Sequence, residues 1–119
     1  MKESVLRDKS ENFAIRIVNL CKYLCDKKKE FILSKQILRS GTSIGANLAE
    51  AEFATSKSDF IAKVHISMKE CSETLYWLRL LKNTGYITEK WFIDISAECN
   101  EIGKMLTASI KTAKDSLRK

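Results

Sequence analysis

The chain has 119 residues, of which 45% are hydrophobic and 30% are charged, and its formal net charge is +6. This balance is typical of a soluble globular protein, and the length is enough for one core but too short for two ordinary domains. Proline is absent and glycine occurs four times, whereas an all-β protein of this size would need many turns built from these residues. The composition therefore predicts one all-α domain over residues 1–119.

We expect neither a membrane-spanning helix nor a signal peptide in this sequence. No run reaches the roughly 18 apolar residues that a membrane-spanning helix needs. The N-terminal segment MKESVLRDKSEN carries charges where a signal peptide would need its apolar region. We therefore expect a cytoplasmic protein that makes no membrane contact. Its four cysteines are expected there as free thiols: Cys21, Cys25, Cys71 and Cys99.

The first predicted helix opens near Asp8 or Ser10, because Asp8 and Glu11 have the spacing of a capping box. It ends around Lys27–Lys29, where cations complement the negative end of the helix dipole. Its core face carries four large apolar residues: Phe13, Ile17, Leu20 and Leu24.

A short link over Phe31–Leu33 leads to a second predicted helix, which Ser34 caps and which extends to about Ala54. One stripe of this helix is apolar and consists of Ile37, Ile44, Leu48 and Ala51. A stripe of small or polar residues runs beside it and consists of Ser40, Ser43, Asn47 and Glu50. Two such stripes indicate that the helix has close neighbours on both sides.

Ser56 and Asp59 form another capping box and open a third helix that ends near Asn83. Gly85 supplies the left-handed residue that follows this helix, so that the next residues fold back on its end. The predicted core row of the third helix is Ile61, Val64, Met68, Cys71, Leu75 and Leu78. A second row beside it is Ile66, Glu70, Glu73, Trp77 and Leu80.

Thr88 caps the fourth predicted helix, with Ile87 and Phe92 placed as a hydrophobic staple. We expect Leu75 and Ile102, which are central in their rows, to be fully buried. The core row of this helix is Phe92, Ile95, Cys99, Ile102, Leu106, Ile110 and Ala113. Because all three connections are short, neighbouring helices are antiparallel, which predicts an up-down-up-down four-helix bundle.

The second stripes of the two central helices exceed what a single four-helix core can absorb, so we expect a homo-oligomer. In the packing interpretation, small hydroxyls allow close helix approach, and Arg39 pairs with Glu70 or Glu73. The residues predicted at packing or inter-subunit contacts are Arg39, Ser43, Asn47, Glu50 and Glu73.

A set of residues concentrated between positions 36 and 87 resembles a known family, the four-helix-bundle proteins related to those encoded in intervening sequences of bacterial 23S rRNA genes. The resemblance covers nearly the whole chain, from about residue 13 to 110. It is carried by Gln36, Arg39, Ser40, Ser43, Ile44, Asn47, Leu48, Ala49, Glu50, Phe60 and the run Glu73–Leu78. The chain has Ala51 where much of the family has glycine, so the close-packing role is expected at Gly41, Gly45 and Ala49.

This resemblance implies a homo-oligomer, most simply a pentamer, because characterised relatives form pentameric barrels of bundles. It also implies a nucleic-acid role. The accessory protein of diversity-generating retroelements is similar in fold and works with a reverse transcriptase and RNA. Most members of the family have no established biochemical function.

Catalytic and metal-binding chemistry finds little support in the residues. Ser43 would need a base, and His65 is the only histidine. A di-metal bundle site uses Glu-x-x-His pairs, and the sequence contains none. The cysteines could surround a zinc ion inside a bundle, but structural zinc sites use ligand pairs on loop knuckles. We therefore predict no enzymatic activity, no metal and no cofactor.

Two remaining features have both a structural and a functional interpretation. Tyr76 and Trp77 could stack on a nucleobase, although a helix-buried aromatic cluster with Trp91 and Phe92 is favoured. Four lysines surround the first connection, namely Lys27, Lys28, Lys29 and Lys35. They are either a solvated charge run or a phosphate-binding rim.

Two functions follow from these observations. In the first, the protein is a non-enzymatic homo-oligomeric adaptor that binds RNA or DNA through basic surface without reading the bases, alongside a protein partner. In the alternative, it is a protein–protein scaffold with no nucleic-acid role, whose charge serves solubility.

Overall fold

The computed structural model describes residues 2–118, and side chains from Val5 to Arg118. It consists of four helices: α1 (Lys2–Lys28), α2 (Leu33–Ala51), α3 (Lys57–Asn83) and α4 (Glu89–Leu117). Within this range the backbone of each helix packs closely against two neighbours, whereas the backbones of the diagonal pairs, α1 with α3 and α2 with α4, stay farther apart. Neighbours run in opposite directions, since Gly41 faces Ile17 while Glu52 reaches back to Arg7. The predicted up-down-up-down bundle is confirmed.

The core contains the apolar rows of α1, α2 and α4 that the sequence predicts. Phe13, Ile17 and Leu24 of α1 are completely buried, as is Ile102 at the centre of α4. Phe92, the first residue of the α4 row, is only half-buried. No helix in the described part of the chain is long and apolar enough to cross a membrane.

The start of α1 differs from the prediction. The helix begins at Lys2, so Asp8 and Ser10 lie inside it and the expected capping box at Asp8 and Glu11 is wrong. The added turns contain neither proline nor glycine, and Leu6 anchors them because its side chain is buried in the core. Tertiary burial therefore extends the helix upstream of a local start signal.

The start of α2 also differs. Ser34 is not the cap, since it lies inside the helix and its hydroxyl donates to the Glu30 carbonyl at 2.9 Å. The Glu30 carboxylate caps instead, and it accepts the backbone N–H groups of Ile32, Leu33 and Ser34 at 2.8–3.2 Å. Helix α2 ends at Ala51, three residues before the predicted Ala54.

The remaining helix ends follow the sequence signals. Ser56 Oγ accepts the Asp59 N–H at 3.0 Å, and Thr88 Oγ1 accepts the Trp91 N–H at 3.1 Å. After α3, Gly85 has a φ of +85°, and the Tyr86 N–H donates to the Leu81 carbonyl at 2.9 Å. These bonds form a Schellman motif, in which the chain folds back on the helix end as expected.

The orientation of α3 about its axis is the main correction. Its buried row is Val64, Ser67, Cys71, Thr74, Leu78 and Leu81. The predicted core residues Ile61, Met68 and Leu75 are only half-buried, so the expectation that Leu75 is fully buried is wrong. Ser67 Oγ donates to the Ile44 carbonyl at 2.8 Å, and Thr74 Oγ1 lies 2.9 Å from Ser40 Oγ. Small hydroxyl residues thus face α2 and let the two helices approach closely.

Close packing between α1 and α2 depends on Gly41. A Cβ atom at this position would lie 2.8 Å from Ile17 Cγ1 and 2.9 Å from Cγ2, which is closer than carbon atoms pack. At Gly45 the nearest atoms, from Ser10, would lie at an ordinary 3.6 Å. Ala49 is exposed, so its predicted close-packing role is wrong.

Candidate nucleic-acid interface at one end of the bundle

The topology gathers basic residues at one end of the bundle, where the α1–α2 and α3–α4 connections lie side by side. We call residues 26–35 and 79–90 the basic end. These two segments hold seven basic and three acidic residues, hence a net charge of +4 out of the chain's +6. The basic residues are Lys27, Lys28, Lys29, Lys35, Arg79, Lys82 and Lys90.

None of these seven cations forms an ion pair with any side chain that the structure describes. The ion pairs of residues 5–118 lie elsewhere and use other cations: Arg7, Lys9, Arg16, Arg39 and Lys63. Lys82 lies 4.7 Å from the centre of the Phe92 ring, and the other six side chains are exposed. The basic end therefore presents positive charge that its own carboxylates leave uncompensated.

The α1–α2 turn contains Lys29 and joins the helix ends that carry Lys27, Lys28 and Lys35. Lys29 has a φ of +54°, which reverses the chain after α1, and the Glu30 N–H donates to the Leu24 carbonyl at 2.9 Å. Glu30 itself is buried with its carboxylate on the first turn of α2. The acidic residue that follows the lysine run is thus turned inward, whereas Asp26, which precedes the run, is exposed and forms no ion pair with any described side chain.

The four lysines of the first connection are apparent in the sequence, whereas Arg79, Lys82 and Lys90 were not predicted as part of this site. The predicted antiparallel topology could have identified these three residues, because it brings the end of α3 and the start of α4 beside the α1–α2 turn. The three residues are scattered along the chain and form no charge run, so inspection of the linear sequence does not reveal them.

The predicted oligomer-contact residues lie together along the outer α2–α3 seam, and their polar groups bond within the chain. Arg39 pairs with Glu70 at 3.3 Å and also with Glu73, as expected. Glu50 pairs with Lys63 at 2.9 Å. Two further bonds stay within α2, from Ser43 Oγ to the Arg39 carbonyl and from Asn47 Nδ2 to the Ser43 carbonyl.

Electrostatics on this seam favour the charged state of both partners. The Arg39 guanidinium, together with the Trp77 indole N–H, lowers the pKa of Glu73 below its ordinary value. The same carboxylate raises the pKa of Arg39. Because the Arg39 side chain is about half-exposed, these pairs contribute little to the stability of the subunit alone.

The comparisons with known proteins agree with the fold. The family model described as 23S rRNA-intervening sequence protein matches residues 2–108. The chain belongs to this family. It is similar to a protein with unknown function from the S23 ribosomal protein family of Bacteroides thetaiotaomicron, whose crystal structure was solved at 1.70 Å. The two share 56% identity with a TM-score of 0.92, over 93% of this chain and 99% of the other. No curated protein matches the chain.

Other features of this family member have structural roles. The aromatic residues do not form one cluster. Tyr76 packs edge-on against Trp77, and Trp91 packs against Tyr23, each pair with ring centres 5.0 Å apart. Tyr76 is half-exposed, so this ring is not buried as the favoured aromatic cluster would require.

The cysteines of this family member are reduced thiols within the helices. Burial raises the pKa of Cys21 to about 11, and its Sγ lies 3.3 Å from the Ser34 carbonyl oxygen. The interaction with Cys71 and burial raise the pKa of Cys99. Among the described residues, no three histidine, cysteine or acidic side chains are grouped as a metal site would require.

Proposed function

We propose that this protein is a non-enzymatic, homo-oligomeric adaptor that binds RNA or DNA through its basic end without reading the base sequence. The observation that carries this proposal is the convergence of seven basic residues, from two separate segments, on one end of the bundle. Nucleic-acid backbones are the polyanions that such surfaces bind through phosphate contacts. The primary binding residues are Lys27, Lys28, Lys29 and Lys35, with Arg79, Lys82 and Lys90 beside them.

Binding of this kind positions the nucleic acid but does not specify its sequence. Lysine ammonium groups act as point charges on flexible stems and lack the planar fork with which arginine recognises guanine. Six of the seven cations are lysines. Phosphate contacts carry no sequence information directly, so we expect similar affinity for oligonucleotides of different sequence.

Assembly is the second part of the proposal. The α2–α3 seam with Arg39, Ser43, Asn47, Glu50 and Glu73 is the proposed subunit contact, and the likeness to pentameric relatives supports five copies. The exposed apolar side chain of Ile66 lies in the same helical row as Glu70 and Glu73, which suits a surface that another subunit covers. Five subunits of charge +6 carry +30, and the basic end is repeated about the symmetry axis.

The decisive experiment measures binding of labelled RNA and DNA as a function of salt. We expect retention at about 50 mM salt and a steep loss as salt rises, with log K falling by about 0.9 for each neutralised phosphate on duplex DNA. The triple variant Lys27→Gln, Lys28→Gln, Lys29→Gln should weaken binding to all sequences alike and flatten this slope.

A matched control removes the same charge from the other end of the bundle. Lys111→Gln, Lys114→Gln and Arg118→Gln change three exposed cations near the end of α4 and should leave most of the affinity intact. Equal losses in the two triple variants would show that only net charge matters. Absence of binding by wild type at low salt would refute the adaptor function and favour the protein–protein scaffold.

Light scattering tests the assembly independently of nucleic acid. Asn47→Leu should perturb the oligomer more than it perturbs helix content, because the Asn47 side chain bonds, among the described residues, only to its own helix. A wild-type mass of 13.6 kDa at micromolar concentration, the mass of one chain, would refute the assembly proposal.

A further inference from the structure

A large aromatic side chain is exposed within the basic end. Phe31 lies in the α1–α2 turn, within four residues of Lys27, Lys28, Lys29 and Lys35 along the chain, and 54% of its surface is accessible. Phe31 is thus flanked along the chain by the lysines that the proposed function assigns to phosphate binding. Covering this apolar ring would contribute favourably to the binding of a ligand at the basic end.

The turn holds Phe31 in this position. Its neighbour Glu30 is buried, and the Glu30 carboxylate accepts three consecutive backbone N–H groups, starting at Ile32. On the other side, Lys29 adopts a left-handed conformation that ends α1. With both flanks fixed, the backbone of Phe31 has little freedom to withdraw the ring into the core. The ring is therefore presented to solvent by a preorganised turn.

We infer that the basic end binds single-stranded nucleic acid in preference to duplex, and that Phe31 is the platform on which an unpaired base stacks. This inference rests on the proposed function and deepens it by naming the form of nucleic acid. Bases inside a duplex are stacked on each other and expose only their edges, so they cannot cover a phenyl ring. An unpaired base has a free face, and the neighbouring lysines can hold its phosphates.

Stacking is also consistent with binding that ignores sequence, because every base has a π-face. The basic end contains no comparable exposed aromatic group on its second segment, where Tyr86 is half-buried. One platform in each subunit would contact one base, and an oligomer would repeat the contact along a strand. The geometry thus assigns separate roles to the lysines, which supply affinity, and to Phe31, which supplies the preference for single strands.

The chain offers a matched control for this role. Phe53 is 84% exposed in the α2–α3 turn at the opposite end of the bundle, and its nearest charged neighbours in sequence are Glu50 and Glu52. It is an equally large exposed ring, and its two acidic neighbours are ion-paired with Arg7 and Lys63, so that it lies outside any lysine run. A substitution at Phe53 therefore reproduces the loss of an exposed phenyl group without touching the basic end.

The test compares Phe31→Leu, Phe31→Trp and Phe53→Leu on three probes of equal length. These probes are a mixed-sequence single strand, the same strand with abasic sites, and its duplex. Phe31→Leu keeps an apolar side chain but removes the ring, and it should weaken single-strand binding by about 5-fold or more. Phe31→Trp should keep or increase this affinity. Neither change should alter binding of the abasic strand or of duplex, and Phe53→Leu should alter none of the three.

Several results would overturn the inference. Equal affinity of wild type for single strand and duplex, with Phe31→Leu silent on both, would refute it while leaving the proposed function intact. Equal losses on intact and abasic strands would show that Phe31 does not contact bases. Failure of wild type to bind any probe would refute both proposals.

Two further measurements separate other uses of an exposed ring. Light scattering of Phe31→Leu should show the wild-type mass, and dissociation would instead place the ring in a subunit contact. Vesicles of anionic phospholipid provide the second measurement. Suppose that the protein binds these vesicles but no oligonucleotide, and that Ile32→Asp abolishes vesicle binding while Phe31→Leu preserves it. This result would identify a lipid-binding surface and refute the inference.

Discussion

Replacement of Gly41 by alanine tests how closely α1 and α2 approach. The new methyl group would lie 2.8 and 2.9 Å from the two γ-carbons of Ile17 and 3.2 Å from its Cβ. Ile17 is completely buried and β-branched, so its χ1 is restricted inside α1. Rotation about χ1 cannot clear the contact, because it exchanges one γ-carbon for another. The backbones of α1 and α2 must therefore move apart.

Two opposing effects set the magnitude. Overpacking of a core by one methyl group costs roughly 1–3 kcal/mol. Alanine is favoured over glycine inside a helix by about 1 kcal/mol, which offsets part of this. The net expectation for Gly41→Ala is a loss of about 0–2 kcal/mol in the free energy of unfolding. Gly103→Ala in α4, where the added Cβ meets nothing within 4 Å, should gain about 1 kcal/mol.

The difference between the two variants isolates the steric contribution, because both contain the same change in helix propensity. Urea denaturation followed by far-UV circular dichroism measures both stabilities. The subunit concentration must be equal for all variants, since an oligomer's apparent stability depends on it. We expect Gly41→Ala to be less stable than Gly103→Ala by about 1–3 kcal/mol.

Equal stability of Gly41→Ala and Gly103→Ala would refute this reasoning, because it would mean that α1 and α2 are not in close contact at Ile17. A second test uses Ile17→Ala as background, which removes both γ-carbons. There Gly41→Ala should be stabilising rather than destabilising. The two substitutions should therefore be strongly coupled in a double-mutant cycle.

Three further predictions address burial. Ile102→Ala should lower the free energy of unfolding by about 2–5 kcal/mol, whereas Leu75→Ala should lower it less because Leu75 is half-buried. Similar losses in the two variants would contradict the observed orientation of α3. Ser10→Ala should raise the free energy of unfolding by about 1 kcal/mol in urea denaturation, since the buried Ser10 hydroxyl has no hydrogen-bond partner among the described residues. A destabilised variant would show that this hydroxyl has a partner. At pH 8, a thiol reagent should modify half-buried Cys25 before Cys21, because the raised pKa of Cys21, about 11, keeps its thiol protonated. Mass spectrometry of early time points measures the order of modification, and the reverse order would contradict this prediction.

The candidate site was predictable in part. The lysine run at positions 27–29 is visible in the sequence because its members are adjacent. Arg79 and Lys90 are separated from it by about 50 residues or more and join it only through the fold. The exposure of Phe31 could not be predicted, because an isolated phenylalanine in a link is more often buried. Its position depends on the Glu30 carboxylate, which replaces the predicted Ser34 cap.

Local signals were sufficient for the number of helices and for several of their ends. A cap such as Ser56 or Thr88 bonds to a backbone N–H three residues away, so the information lies within one turn of chain. Gly85 likewise adopts its left-handed conformation for a local reason. Where a distant contact competes, the local signal fails. The buried side chain of Leu6 extends α1 through the predicted cap at Asp8.

The sequence by itself determined the all-α class, the four helices, their antiparallel order and the family, because apolar periodicity and capping chemistry act over a few residues. Only the tertiary structure decided which face of α3 is buried. The row through Met68 and Leu75 and the row through Ser67 and Thr74 are both compatible with a helix. The second row is buried because its small hydroxyl side chains bond to α2 at close range, where the larger residues would not fit. The same packing brings distant cations together, since electrostatic surfaces depend on positions in space and not on order along the chain.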